Sequence, residues 1–135
     1  MNQVIFSSSN KWRKFESTTK YITELVLNKF KKKNFYIEIN LVDDEIIQSL
    51  NKKWRGRDQA TNVLSFSRSD NWPDNNYLGE VFLAPQYIEK KKENFEYLLI
   101  HGLLHILGFD HVKKGDRIKM EYHEKELLSI LSSLK

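Results

Sequence analysis

The chain has 135 residues, of which 40% are hydrophobic, 13% aromatic and 30% charged, with five glycines and two prolines. That length suits one domain spanning residues 1–135, and that composition suits a packed core and excludes a disordered or fibrous chain. The absence of cysteine removes disulfides, thiolate metal sites and cysteine nucleophiles together, and the net charge of +4 raises the question of a polyanionic partner.

The charge is lopsided. Up to Asn34 the chain carries eight Lys or Arg against two Glu, so the remainder is slightly acidic. With Lys and Asn both abundant, this excess reads equally well as a docking face for a polyanion or as a compositional habit. From Asn10 to Phe30 the apolar residues Trp12, Phe15, Ile22, Leu25, Val26 and Phe30 recur near helical spacing, with Asn10 placed to cap. Lys31, Lys32 and Lys33 follow at the end that favours cations, and one amphipathic helix is expected. Phe35, Ile37, Ile39 and Leu41 then alternate with polar residues as in a half-buried strand. Asp43 and Asp44 supply a cap for a short helix carrying Ile46, Ile47, Leu50 and Trp54, which Gly56 is placed to end.

Two runs rich in strand formers follow, Asn62 to Ser67 and Tyr77 to Leu83, separated by a loop and able to pair as a hairpin. Pro85 suits the first turn of a helix. Phe95, Leu98, Leu99, Leu103, Leu104, Ile106 and Leu107 make a helix so apolar that it belongs in the centre of the core, and Gly108 stops it. A last amphipathic helix is expected from Asp116 to Leu134. The fold class is α+β (α/β), a small mixed sheet of three to four strands packed with about four to five helices. No apolar run reaches the length of a membrane span and residues 1–15 hold no hydrophobic signal core, so a cytoplasmic protein with no membrane partner is expected.

The chemistry concentrates on that central helix. Three of the four histidines, His101, His105 and His111, fall in His-Gly-Leu-Leu-His-Ile-Leu-Gly-Phe-Asp-His. Four helical residues turn through about 400°, so His101 and His105 share a face about 6 Å apart and can share one ion. Gly108 lets the chain double back, so that His111 can add a third nitrogen. Three imidazoles leave one position open, the pattern of a catalytic zinc site. The bland reading is that the spacing is accidental and the side chains are core or surface histidines, with His123 merely exposed.

The spacing equals that of the metzincin signature His-Glu-x-x-His-x-x-Gly-x-x-His, with one break. Gly102 stands where the glutamate base would be, so a peptidase lacks its proton shuttle and a base has to come from elsewhere. The candidates are Glu80, after Gly79, and Asp110, which could equally orient a histidine or cap the helix end. A second cluster, Trp54-Arg55-Gly56-Arg57-Asp58-Gln59-Ala60-Thr61-Asn62, offers a guanidinium fork that matches a phosphate. Its alternative is a solvated helix end with Arg57 and Asp58 paired locally. Trp54 and Trp12 read as core residues.

The segment from His101 to His111 resembles the His-Gly-x-Leu-His-Leu-x-Gly-Tyr-Asp-His signature of the YbeY family, metal-dependent endoribonucleases implicated in ribosomal RNA maturation and ribosome quality control. Residues 55–66 resemble that family's Arg-Gly-x-Asp-x-Pro-Thr-Asp-Val-Leu-Ser-Phe motif. Ala60, Asn62 and Phe109 depart from its Pro, Asp and Tyr, and Glu80 stands where the family usually has Asp. The resemblance implies one zinc ion per chain on His101, His105 and His111, with Arg55 engaging RNA and Glu80 or Asp110 managing the proton. It implies a single-strand-specific endoribonuclease in 16S rRNA 3′-end maturation, with ribosomal RNA, the small ribosomal subunit and its assembly factors as partners and no small organic cofactor. The rivals are a zinc peptidase with a displaced base and a non-catalytic ribosome assembly factor with structural zinc.

Overall fold

The computed structural model describes residues 1–110 and 112–134. A strand that the sequence left unassigned, β1 (Gln3–Ser8), opens the chain, followed by a 3-10 turn (Asn10–Phe15) and helix α1 (Glu16–Lys29). Then come β2 (Tyr36–Leu41), α2 (Asp44–Arg55), β3 (Val63–Ser67), β4 (Tyr77–Leu83), α3 (Pro85–Lys90), α4 (Phe95–Ile106) and α5 (Lys114–Ser133). The strands form one mixed sheet in the order β1-β2-β4-β3, with β1, β2 and β4 parallel and β3 antiparallel to β4. The expected β3–β4 hairpin is therefore present, and the sheet and helices match the expected class.

The expected first helix is split, because Asn10–Phe15 winds as a 3-10 turn whose cap position, Ser9, makes no side-chain cap bond. Asp43 likewise does not cap α2 through its side chain. Its carboxylate instead accepts from Trp12 Nε1 at 3.2 Å and pairs with Lys11 Nζ at 2.8 Å, tying the 3-10 turn to the start of α2. The Lys11 hydrogen bond holds the Asp43 carboxyl below its ordinary range. Strand β1 is pinned at its start by the buried Asn2, which donates to the Lys32 carbonyl at 2.7 Å and accepts from the Phe35 N–H at 3.0 Å. Those two bonds satisfy backbone groups at the turn into β2.

Alternation along the strands separates two packed faces. On one, Ile37, Ile39 and Leu41 of β2 and Val81 and Leu83 of β4 meet Ile22, Val26 and Leu27 of α1, the apolar residues of α4, and Met120, Leu127 and Leu131 of α5. On the other, Leu64, Phe66 and Phe82 pack with Ile47 and Leu50 of α2. Helix α4 lies in the middle of the larger layer, with Leu99, Ile100, Leu103 and Leu104 fully buried, as its composition predicts. Among the described residues no helix is long and apolar enough to cross a membrane.

A bulge sets which side chains of β4 share a face. Tyr36 pairs with Tyr77 and Glu38 with Glu80, so three steps of β4 match two of β2. Gly79 sits in the bulge at φ +136°, and a Cβ there would lie 2.3 Å from the Phe66 carbonyl oxygen, so no other residue fits. The slip brings Tyr77 onto the face of Glu38 and Glu80, where its hydroxyl donates to Glu38 at 2.7 Å.

Candidate metal and phosphate site

An open cleft of about 710 Å³ lies between the outer edge of β3, the end of α2 and the exposed flank of α4. Arg55 and Arg57 stand at one side of it, Tyr97, His101 and His105 at the other, and Ser65 between them. The two motifs read from the sequence therefore meet in one place, although 46 residues separate Arg55 from His101.

Ser65 is the joint. Its hydroxyl donates to the Gly102 carbonyl of α4 at 2.9 Å, and its own carbonyl accepts from Arg55 Nη2 at 3.1 Å. The Arg55 guanidinium also lies 5.3 Å from the centre of the Phe66 ring, a cation–π distance that holds the exposed side chain across the sheet edge. Asn51, buried in the last turns of α2, donates to the Gln59 carbonyl at 3.0 Å and fixes the path of the loop back to β3. Asp58 does not pair with Arg57. It accepts from Gln48 at 3.1 Å and faces Lys52 at 3.8 Å, which leaves the Arg57 side of the loop to line the cleft.

On α4 the His101 and His105 rings stand edge to face with centroids 4.7 Å apart, and their Nε2 atoms converge to 3.2 Å. His101 Nδ1 donates to Glu124 Oε2 at 2.7 Å. Glu124, in α5, is only 4% exposed. With Nδ1 engaged by Glu124, Nε2 is the ring nitrogen of His101 that faces His105. A tetrahedral ion with bonds of about 2.0–2.1 Å has its ligand atoms about 3.3 Å apart, so the 3.2 Å convergence fits a shared zinc-sized cation. The sequence reading missed Glu124. Its signal was available, because Met120, Leu127 and Leu131 form the buried stripe of α5 and Glu124 is the one carboxylate set into it.

The third expected ligand, His111, lies outside the described residues, and among the described residues no group of three His, Cys, Asp or Glu converges as a metal site. The turn towards it has the expected form. Gly108 takes φ +98°, its N–H donates to the His105 carbonyl, and the Phe109 N–H donates to Leu104. Asp110 Oδ1 then accepts from the Val112 N–H at 3.0 Å.

Glu80 is not brought to the histidines. In the β3–β4 register Ser65 lies beside Val81 and Phe66 beside Glu80, so Glu80 faces the opposite side of the sheet from α4. There it lines a separate groove with Glu38, Trp54, Phe66, Trp72 and Tyr77. Burial, then the Glu38 charge, pushes its pKa up. Two further expectations change. Trp54 is 58% exposed and packs edge-on against Phe66 instead of entering the core. His123 is not merely exposed, since its ring meets Phe30, Phe109 and Tyr122 within 5.4 Å and its Nδ1 is buried with no hydrogen-bond partner among the described residues.

These features define an α+β protein whose edge strand and central helix share an open cleft, with guanidinium groups on one wall and two converged imidazoles on the other. The family model of endoribonuclease YbeY matches residues 4–132. Proteins named endoribonuclease YbeY are 38% identical over 108 residues in Buchnera aphidicola, covering 73% of this chain and 70% of that protein. The one from Neorickettsia sennetsu is 41% identical over 102 residues, covering 70% and 71%, and that of Francisella tularensis 33% over 121 residues, covering 80% and 72%. A solution structure of a Thermotoga maritima protein shares the fold at TM-score 0.62 with 24% identity, covering 96% of this chain and 92% of that one. The chain belongs to the endoribonuclease YbeY family.

Proposed function

We propose that this protein is a zinc-dependent, single-strand-specific endoribonuclease of the cytoplasm. Its work is 16S rRNA 3′-end maturation and ribosome quality control, with ribosomal RNA, the small ribosomal subunit and its assembly factors as partners. The observation that carries the reading is the 3.2 Å convergence of His101 and His105 Nε2 in the cleft that Arg55 borders, in a chain of this family. One ion per chain would be held by His101, His105 and His111, and no organic cofactor is needed. When bound, the ion supplies Lewis acidity towards a water and a phosphoryl oxygen.

The rest is done by the chain. Arg55, held by the Ser65 carbonyl and the Phe66 ring, offers its remaining N–H groups to a phosphodiester, and Arg57 adds positive charge along the same wall. Tyr97 presents a ring on the opposite wall, where a flanking base of an unpaired strand can stack. Proton handling is assigned to Asp110, which stays with the histidine segment, and not to Glu80 across the sheet. A peptidase mechanism has no place for its glutamate. Gly102 is packed against Val63, Ser65 and Val81, so a side chain there would press on the sheet with no room for a glutamate.

The test is cleavage of a single-stranded RNA by protein freed of trace nucleases. Chelation and His105→Ala should each abolish it, zinc should restore the chelated wild type, and Arg55→Ala should lower kcat/KM by about 10²-fold or more. Unchanged cleavage after both chelation and His105→Ala overturns the proposal.

A further inference from the structure

Glu124 is a carboxylate buried in the apolar stripe of α5, and burying a carboxylate is strongly unfavourable unless it is paired. An aliphatic residue would serve the packing against Met120 and Leu127 at least as well, so the fold alone does not account for it. Its partner does. Oε2 accepts from His101 Nδ1 at 2.7 Å across 23 residues of sequence, and burial, then the charge of the same carboxylate, push the pKa of the Tyr97 hydroxyl up. Tyr97 and His101 lie one turn apart on α4 with ring centroids 6.0 Å apart, and both line the cleft.

The consequence for His101 is chemical. An imidazole has two nitrogens, and only an unprotonated Nε2 can serve a cation shared with His105. An acceptor fixed on the Nδ1 side removes the competing tautomer and locks the ring about both torsions. His105 sits on the same helix flank at a fixed backbone distance, so orienting one ring sets the gap between the two Nε2 atoms.

We infer that Glu124 is the positioning residue of the site: it holds His101 in the Nδ1–H tautomer with Nε2 aimed at the cation position. This rests on the zinc site proposed above, but it makes a claim about the metal-free protein that stands by itself. The experiment therefore has two readouts on wild type, Glu124→Leu and Glu124→Gln. Nitrogen-15 NMR of the imidazoles in the metal-free protein should find His101 as the Nδ1–H tautomer in the wild type. In Glu124→Leu, which removes the acceptor while suiting the apolar stripe, the Nε2–H form should appear. Competition with a chromophoric chelator should then show zinc bound 10–100-fold more weakly by Glu124→Leu, with an intermediate loss in Glu124→Gln. The metal-free unfolding midpoint of Glu124→Leu should be unchanged or raised, which a merely structural role would not give. An unaltered His101 tautomer in Glu124→Leu, or unaltered zinc affinity, overturns the assignment. If the wild type takes up no zinc, the proposed function falls, while the tautomer measurement still decides for or against Glu124.

Discussion

Gly102→Ala tests the packing on which the site rests. On helix propensity alone the change should stabilise the protein, since glycine inside a helix costs about 1 kcal/mol relative to alanine. The surroundings predict the opposite. A Cβ at position 102 would lie 3.0 Å from Ser65 Oγ, 3.0 Å from Val63 Cγ2 and 3.0 Å from Val81 Cγ1. Carbon atoms settle at about 3.5–4.0 Å, so three neighbours on two strands would have to give at once. They cannot turn away cheaply, because Ser65 Oγ is bound to the Gly102 carbonyl and Val81 is fully buried. Overpacking of this kind costs about 1–3 kcal/mol, and subtracting the propensity gain leaves a net loss of about 1 kcal/mol. In a domain of this size that lowers Tm by roughly 3–5 °C. The assay is urea unfolding with thermal melts of the metal-free protein, followed by RNA cleavage. Cleavage should fall as well, because α4 carries His101 and His105 and can relieve the contacts only by moving off the sheet edge that holds Arg55. A variant more stable than wild type by about 1 kcal/mol, with cleavage intact, would refute the reasoning.

Burial, and then the Lys29 charge, lower the pKa of His123, so the folded state binds its proton less readily than the unfolded chain. The stability it contributes is present above the ordinary histidine range and is lost as pH falls through it. Metal-free wild type should therefore lose midpoint between about pH 7 and 5, and His123→Phe should lose less; equal slopes count against it. Glu80 shifts the other way, raised by burial and by Glu38, so its charged form is a cost that is present above the ordinary glutamate range and relieved as pH falls through the raised value. Glu80→Gln should raise Tm at pH 7–8, with the gain shrinking towards pH 5, and should leave RNA cleavage near the wild-type rate; a large loss of cleavage at unchanged stability would return Glu80 to the reaction.

What the sequence by itself determined is what one or two turns of chain can encode. The i, i+4 spacing of His101 and His105 puts their rings side by side on any helix, and Gly108 leaves that helix with positive φ, as its lack of a side chain allows. Alternation placed β2, runs of strand formers placed β3 and β4, and the apolar content of α4 placed it at the centre. Strand β1 escaped notice because its residues alternate only between exposed and half-buried, and its parallel pairing with β2 is formed across an intervening helix. Tertiary structure alone decided which carboxylate meets the histidines. Glu80 comes directly after Gly79, but the face of a strand residue depends on register, and the pairing of β4 with β3 turns it away from α4. Glu124 is far from His101 in sequence and reaches it only because α5 packs its buried stripe against α4. The meeting of Arg55 with the histidine helix through Ser65 is of the same kind, a long-range contact whose partners no local periodicity can name.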